Sequence, residues 1–201
     1  EDEDGDQQRV NPFESEEEIN NRFVLGLNAE FDSMSSFKSD DYIMLGGYRG
    51  SGKTVVCCNI CTNIEENGGT FAYFGVEMKF REIMQRNMSI SLQIDAKRLK
   101  NRNLSVLEWE KVAQYWANRY EYGEEAFKRY MQHRNFDEFH NEVSRGPLRD
   151  NISSIIYDPN LTVGRIRSEL DIIVAKKRPQ VIVVDYMNEV LLNKLHGRKK
   201  Q

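Results

Sequence analysis

The sequence has no long apolar run. Its 201 residues are 39% apolar, and no segment approaches the roughly 18 to 20 consecutive apolar residues that a membrane-spanning helix requires. The N-terminal residues are acidic and lack the basic and apolar regions of a secretory signal peptide. We therefore expect a cytoplasmic protein with no membrane partner, and with enough apolar residues for one core of ordinary size.

Cysteine is scarce, and the three cysteines of the chain fall on one predicted helix. Cys57, Ile60, Cys61 and Ile64 form an apolar stripe at helical spacing, with Cys58 beside it. A metal site needs further ligands at suitable spacing, and the three histidines lie far away in sequence. The pattern predicts buried, reduced thiols and argues against a metal site at these cysteines.

Basic residues are nearly absent from the first 18 positions. This segment carries nine acidic side chains and one basic residue, Arg9, so its charge of −8 compares with −4 for the whole chain. An acidic run without an apolar face is typical of a solvated, disordered tail, and we predict such a tail over residues 1–18. The alternative is that this acidic segment acts as a clamp that mimics a polyanion. The folded domain is then predicted to occupy residues 19–201.

Residues 47–54 read Gly-Tyr-Arg-Gly-Ser-Gly-Lys-Thr, a complete G-x-x-x-x-G-K-[ST] phosphate loop. An apolar run at 42–45 precedes the loop and a helical pattern follows it, as a strand–loop–helix unit requires. The glycines allow backbone N–H groups to surround phosphate oxygens, Lys53 reaches the outer phosphates, and the Thr54 hydroxyl ligates Mg²⁺. The pattern thus predicts a site for ATP and Mg²⁺. The residues expected to bind the nucleotide are Gly47, Arg49, Gly50, Ser51, Gly52, Lys53 and Thr54.

Apolar runs and helical patterns alternate along the chain, which favours an α/β fold with a parallel sheet. The apolar runs predict strands at 42–45, 70–74, 152–157 and 181–184. The helical patterns predict helices at 53–66, 79–90 and 162–177. Ser105 and Glu108 form a capping box that opens a further helix. A charged, aromatic-bearing stretch at 121–149 interrupts the alternation, and we predict a helical insertion there. We expect Trp109 and Trp116 of the preceding helix to pack within the fold rather than to stack on bases.

Two acidic residues follow predicted strands and complete the candidate site. Asp185 ends the last, β-branched strand, where its carboxylate is placed to hold Mg²⁺ together with Thr54. Glu77 follows the second strand, and we expect it to orient or deprotonate the attacking water. Glu77 and Lys53 are therefore the candidate catalytic residues. The alternatives are that Asp185 simply ends a strand as a cap and that Glu77 caps the following helix.

These motifs resemble those of one known family. The phosphate loop at 47–54, Phe74-Gly75-Val76-Glu77-Met78 and Ile182-Val183-Val184-Asp185-Tyr186 are similar in type and order to motifs in the RecA-like motor domain of DnaB-type hexameric replicative DNA helicases, which include phage helicases. The resemblance extends over residues 25–192 and is loose between the motifs. The insertion at 121–149 is longer than in many such proteins, and Met187-Asn188-Glu189 replaces the more usual Leu-Gln-Leu.

The resemblance implies a RecA-like P-loop NTPase, with a mostly parallel sheet flanked by helices, in the cytoplasm or nucleoid of a bacterial cell. It further implies the ATP-binding and hydrolysing part of a ring-shaped homo-oligomer, expected to be a hexamer, that translocates on single-stranded DNA. The residues expected to contact this DNA are Arg198, Lys199 and Lys200. A solvated run of charge is the alternative for these three residues.

The resemblance also implies elements that follow Asp185, including a strand that lies between the phosphate-loop strand and the Asp185 strand. Without that strand, the sheet has a gap with unpaired backbone groups. We therefore expect the fold to be incomplete at its C-terminus and to be completed by a further segment or a second polypeptide. The alternative functions are a recombinase-type ATPase and a partner-dependent, regulatory ATP-binding module without unwinding activity of its own.

Overall fold

The structure, a computed structural model, describes residues 22–38, 41–187 and 190. These residues separate into two units on either side of the Leu45–Gly46 peptide bond. The predicted acidic tail at 1–18 lies outside the described residues, and so do Arg198, Lys199 and Lys200.

The first unit contains the short helix α1, Ala29–Met34, among its described residues. Asn28 caps α1, because its side-chain oxygen accepts hydrogen bonds from two backbone N–H groups in the first turn. On either side of the helix, Phe23 and Phe37 form an antiparallel backbone bridge. The rings of Phe23 and Phe31 lie against the ring of Phe37, so the segment closes on a small aromatic cluster.

The second unit is built around a sheet of three parallel strands within the described residues. The strands are β1 (Phe71–Gly75), β2 (Ser154–Tyr157) and β3 (Val181–Asp185). β1 lies in the centre, and Gly75 at its end is level with Tyr157 of β2 and with Asp185 of β3. The carboxyl ends of the three strands therefore share one edge of the sheet. The strands predicted at 70–74, 152–157 and 181–184 are confirmed, with small shifts at their ends.

Seven α-helices accompany the sheet in the described part of the second unit. They are α2 (Lys53–Glu66), α3 (Phe80–Leu92), α4 (Ala96–Lys100), α5 (Val106–Ala117), α6 (Gly123–His133), α7 (Phe136–Val143) and α8 (Val163–Lys176). The helices predicted at 53–66, 79–90 and 162–177 are confirmed as α2, α3 and α8. The capping box is also confirmed, because Ser105 and Glu108 exchange hydrogen bonds between side chain and backbone at the start of α5. None of the described helices has both the length and the apolar character needed to cross a membrane.

Helices cover both faces of the sheet. On one face, α2 and α3 contribute Cys58, Cys61 and Ile83 to an apolar cluster that includes Tyr73 of β1. On the other face, α8 packs partly buried apolar side chains against Phe74 of β1. Every residue of β1 is buried, as expected for the central strand of a parallel sheet that is covered on both sides. The α/β fold predicted from the sequence is thus confirmed.

The stretch at 121–149, predicted as a helical insertion, contains the helices α6 and α7. Together with α5, these helices enclose an apolar cluster of their own, in which Tyr130, Phe139 and Val143 are buried. Trp109 of α5 packs on Phe136 with a distance of 4.7 Å between ring centroids. The aromatic residues of this region therefore pack against one another, as predicted for Trp109, and stabilise a helical core.

The strand predicted at 42–45 is wrong. These residues have no regular secondary structure, and Tyr42 and Met44 are 75% and 78% exposed. A strand is held by backbone pairing with a neighbour, and no described residue forms a strand ladder with this segment. The apolar run exists in the sequence, but an apolar pattern alone does not supply the pairing partner.

Candidate functional site

The phosphate loop at 47–54 leads directly into α2. Gly50 and Gly52 have φ angles of 78° and 93°, in the left-handed region that residues with a side chain rarely adopt. Gly47 lies close to Ser51, because a Cβ atom there would lie 2.5 Å from Ser51 Oγ and would require that hydroxyl to rotate away. The glycines therefore allow a tight loop at the N-terminus of α2, where backbone N–H groups and the helix dipole favour an anion.

Lys53 is the first residue of α2, and its side chain turns back over the loop. Its Nζ atom donates hydrogen bonds to the carbonyl oxygens of Gly47 and Tyr48, each at 2.8 Å. Neutral carbonyl oxygens thus hold the ammonium group within the loop. A phosphate oxygen is a stronger acceptor for this ammonium group than a neutral carbonyl oxygen, because the phosphate oxygen carries negative charge.

Thr54 and Asp185 are in contact although 131 positions separate them in the sequence. The Thr54 hydroxyl donates a hydrogen bond of 2.8 Å to Asp185 Oδ2. Thr54 lies in the first turn of α2, and Asp185 is the last residue of β3 at the carboxyl edge of the sheet. The two predicted Mg²⁺ ligands are therefore neighbours, and Asp185 does more than end a strand.

Glu77 follows β1, and 58% of its side chain is exposed. Arg49 of the phosphate loop lies opposite, with Nη2 at 3.9 Å from Glu77 Oε1. The alternative interpretation, in which Glu77 caps the next helix, is wrong. Lys79 is the N-cap residue of α3, and Glu82 accepts a hydrogen bond of 3.0 Å from the Lys79 backbone N–H. Glu77 thus lies beside the phosphate loop and takes no part in the cap.

Tyr73 is a site residue that sequence patterns did not indicate. It lies in the middle of β1 with no exposed surface, and its hydroxyl donates a hydrogen bond of 2.5 Å to Asp185 Oδ2. Burial, together with this hydrogen bond, raises the pKa of Tyr73 well above its ordinary value, so the hydroxyl remains a donor. The one available signal was a tyrosine inside a strand that otherwise needs only apolar side chains.

The three cysteines lie on α2, after the phosphate loop. Burial raises the pKa of Cys57 from its ordinary value of 9.0 to about 11, and the negative charge of Asp185 adds to the rise. Burial also raises the pKa of Cys58 to about 12 and that of Cys61 well above its ordinary value. The prediction of buried, reduced thiols is confirmed, since all three cysteines are buried and free of disulfides.

The residues at this edge of the sheet fit a nucleotide phosphate and a hard divalent cation. The loop supplies backbone N–H groups and the Lys53 ammonium, which are the donors that phosphate oxygens accept. Thr54 and Asp185 supply oxygen atoms, the ligands that Mg²⁺ prefers, and Mg²⁺ usually needs few protein ligands because it retains several waters. Fold and site together define the class of protein: an α/β domain with a phosphate loop at the carboxyl edge of its parallel sheet.

Comparison with known proteins identifies the family and confirms the resemblance in the motifs. Residues 26–201 match the DnaB-like helicase C-terminal domain, and the chain belongs to this family. The replicative DNA helicase DnaB of Nostoc sp. (strain PCC 7120) is 32% identical over 110 residues, which are 52% of this chain and 12% of that protein. A probable replicative DNA helicase of Trieres chinensis is 31% identical over 94 residues, which are 44% of this chain and 21% of that protein. The chain thus spans a small part of the length of either relative.

Proposed function

We propose that the chain is the ATP-binding and ATP-hydrolysing module of a replicative DNA helicase, with ATP and Mg²⁺ as its cofactors. The observation that carries this proposal is the contact between Thr54 and Asp185, which brings the two candidate Mg²⁺ ligands together beside the phosphate loop. Membership of the helicase family and the names of the two relatives support a role in DNA replication.

In the proposed mechanism, the phosphate loop binds the nucleotide phosphates through its backbone N–H groups. Lys53 exchanges its contacts with the carbonyl oxygens of Gly47 and Tyr48 for contacts with phosphate oxygens. Its positive charge then offsets the negative charge that develops during hydrolysis. Thr54 and Asp185 are the residues that would hold Mg²⁺, which when bound neutralises phosphate charge and orients the phosphates.

Glu77 is the proposed general base, which orients the attacking water and accepts its proton. Its carboxylate is exposed at the carboxyl edge of the sheet, beside the phosphate loop. The nearby Arg49 does not hold it firmly, because an ion pair at 3.9 Å between two exposed side chains is weak. Glu77 is thus able to turn from Arg49 to a water molecule when nucleotide is bound.

We further propose that the module works in a homo-oligomeric ring, a hexamer, that translocates on single-stranded DNA. The family membership and the helicase relatives support this assignment. Movement along a strand needs a positively charged surface that follows the phosphate backbone. The proposed DNA contacts are Arg198, Lys199 and Lys200, whose charges neutralise phosphates. Such a ring works where DNA is replicated, which in a bacterial cell is the nucleoid.

A second candidate function is a partner-dependent ATP-binding module, which acts only when another polypeptide completes it. Two observations favour it. β3 pairs with β1 along one edge, and no described residue pairs with its other edge. Residues 42–45, before the phosphate loop, form no strand. A strand supplied by a further segment or a second polypeptide would satisfy the backbone groups at this edge of β3.

ATP turnover with and without single-stranded DNA tests both candidates. The chain is assayed alone and with a co-expressed polypeptide that carries the strands which this family places after Asp185, and Lys53→Ala controls for contaminating ATPases. We expect negligible DNA-stimulated turnover from the chain alone and DNA-stimulated turnover from the complemented chain. Substantial stimulation of the chain alone would rule out the partner-dependent module. Absence of Lys53-dependent turnover under every condition would rule out hydrolysis.

A further inference from the structure

Tyr73 is placed so that its hydroxyl reaches the end of the neighbouring strand. It pairs with Val183 in the register between β1 and β3, so its side chain lies on the same face of the sheet as Val183 and Asp185. Asp185 is two residues further along β3, a rise of about 6.5 Å. A tyrosine side chain is long enough to span this rise, and the observed hydrogen bond to Asp185 shows that it does.

The ring of Tyr73 is held by its surroundings. It belongs to the same apolar cluster as Cys57, Cys58 and Ile83, and Tyr73 has no exposed surface. The ring is thus packed on all sides within the core. A phenylalanine would fill the same space, so apolar packing does not account for the hydroxyl.

A buried hydroxyl costs free energy unless it has a hydrogen-bond partner. The partner of the Tyr73 hydroxyl is Asp185 Oδ2, which also accepts the hydrogen bond from Thr54. Both donors therefore use the same carboxylate oxygen and together fix the rotation of the carboxylate. Thr54 is itself a proposed Mg²⁺ ligand, whereas Tyr73 lies in the core and acts only through Asp185.

We propose that Tyr73 is a positioning residue for Mg²⁺ binding, because its hydroxyl holds the Asp185 carboxylate in the orientation that receives the cation. The inference rests on the proposed nucleotide site. The hydrogen bond also withdraws negative charge from the carboxylate, which by itself would weaken cation binding. Loss of a partner that orients a metal ligand nevertheless typically lowers metal affinity by about 10- to 100-fold, so orientation is the larger effect.

The test is Tyr73→Phe in the full chain, with Tyr115→Phe as the matched control. Tyr115 also has a hydroxyl bonded to a charged side chain, since its oxygen accepts a hydrogen bond of 3.2 Å from Arg119, but it lies in α5. A fluorescent ADP analogue is titrated in EDTA, and Mg²⁺ is then titrated at saturating nucleotide. Circular dichroism follows the thermal unfolding of each variant.

We expect Tyr73→Phe to raise the Mg²⁺ concentration at half-saturation by about tenfold, while nucleotide binding in EDTA stays unchanged. Tyr115→Phe should change neither quantity. An unchanged Mg²⁺ requirement in Tyr73→Phe overturns the proposal, even if its unfolding temperature falls, because the hydroxyl then serves stability alone. A Tyr73→Phe chain that does not fold overturns it for the same reason. If the wild-type chain shows no Mg²⁺-dependent nucleotide binding, the proposed function itself fails, and this inference fails with it.

A second comparison tests whether the hydroxyl acts through Asp185. In an Asp185→Asn background, Tyr73→Phe should cause no further change in the Mg²⁺ requirement, because two residues that act through one contact are not additive. A further rise of about tenfold in that background would place the effect of the hydroxyl elsewhere and overturn the proposal.

Discussion

Glu77 and Glu82 lie close together in sequence but have different surroundings. Glu77 is exposed beside the phosphate loop, with Arg49 at 3.9 Å. Glu82 accepts a hydrogen bond from the Lys79 backbone and caps α3. One carboxylate is therefore available to a water molecule, and the other is occupied by the helix. Substituting each glutamate in turn therefore distinguishes an effect on catalysis from an effect on the stability of the fold.

Glu77→Gln is expected to keep nucleotide binding and to slow ATP hydrolysis by about 10²-fold or more, because an amide does not accept a proton from water. Glu82→Gln is the matched control. The glutamine side-chain oxygen also accepts the hydrogen bond from the Lys79 backbone N–H, so this variant should keep both turnover and stability. Binding is followed with a fluorescent ATP analogue, hydrolysis by phosphate release, and stability by urea unfolding. Parallel losses of binding and turnover in Glu77→Gln would exclude a role as the base.

Site residues were predictable from the sequence where they belong to a short, contiguous motif. Lys53 and Thr54 belong to a loop motif that precedes a helix, and Asp185 ends a β-branched run. The role of Tyr73 is different, because it arises from the register between β1 and β3. That register joins segments far apart in the chain, and no local pattern displays it.

At the level of elements, α2 connects the phosphate loop to the core. Lys53 and Thr54 begin this helix, and its cysteines lie on its buried side. The pKa values of Cys57 and Cys58, about 11 and about 12, lie above the ordinary value of 9.0 because of burial. These thiols are therefore packing groups that remain protonated at neutral pH.

We expect all three thiols to resist iodoacetamide at pH 8 in the folded chain and to react fully in urea, because the thiolate is the nucleophile and burial blocks access. The folded-state pKa values exceed those of the unfolded chain. The resulting stabilisation is therefore present below about pH 9 and is lost as the pH rises through about 11 to 12. Mass spectrometry counts the labels, and urea unfolding between about pH 8 and pH 12 follows the stability. Rapid labelling of the folded chain would show that α2 does not bury its thiols.

The N-terminal cap of α5 allows a test of how much one helix cap contributes to stability. Ser105→Ala removes the side-chain oxygen that accepts a hydrogen bond from the Glu108 backbone N–H, and we expect a loss of about 1 kcal/mol in the free energy of unfolding. Ser168→Ala is the control, because Ser168 is an exposed residue within α8 where alanine is the better helix former. Both are measured by urea unfolding. Equal stability of Ser105→Ala and wild type would mean that the cap contributes nothing.

Helices and strands were predictable from the sequence where a local pattern marks them. They were not predictable where a strand depends on a pairing partner elsewhere in the chain. The capping box at Ser105 marks the start of α5, and alternation of apolar runs marks β1, β2 and β3. The apolar run at 42–45 carries the same kind of signal and yet forms no strand. A strand needs a neighbour to pair with, and the pattern of a segment does not state whether that neighbour is present.

For the molecule as a whole, the parallel topology is what assembles the candidate site. Parallel strands place their carboxyl ends at one edge, and this edge gathers Tyr73, Glu77 and Asp185 from β1, the turn after it and β3. Thr54 joins them from α2. The helices α5, α6 and α7 form a separate cluster. We therefore propose that the sheet edge and the phosphate loop form one site for a nucleotide and Mg²⁺.

The most direct test of this claim is a titration of the chain with a fluorescent ATP analogue, in Mg²⁺ and in EDTA, for wild type and Lys53→Ala. The control is Lys100→Ala, since Lys100 is an exposed lysine at the end of α4. We expect wild type and Lys100→Ala to bind the analogue more tightly in Mg²⁺ than in EDTA. Lys53→Ala should bind it at least about tenfold more weakly, because it loses hydrogen bonds between charged groups. Unchanged affinity in Lys53→Ala, or no binding by the wild-type chain in either condition, would contradict the claim.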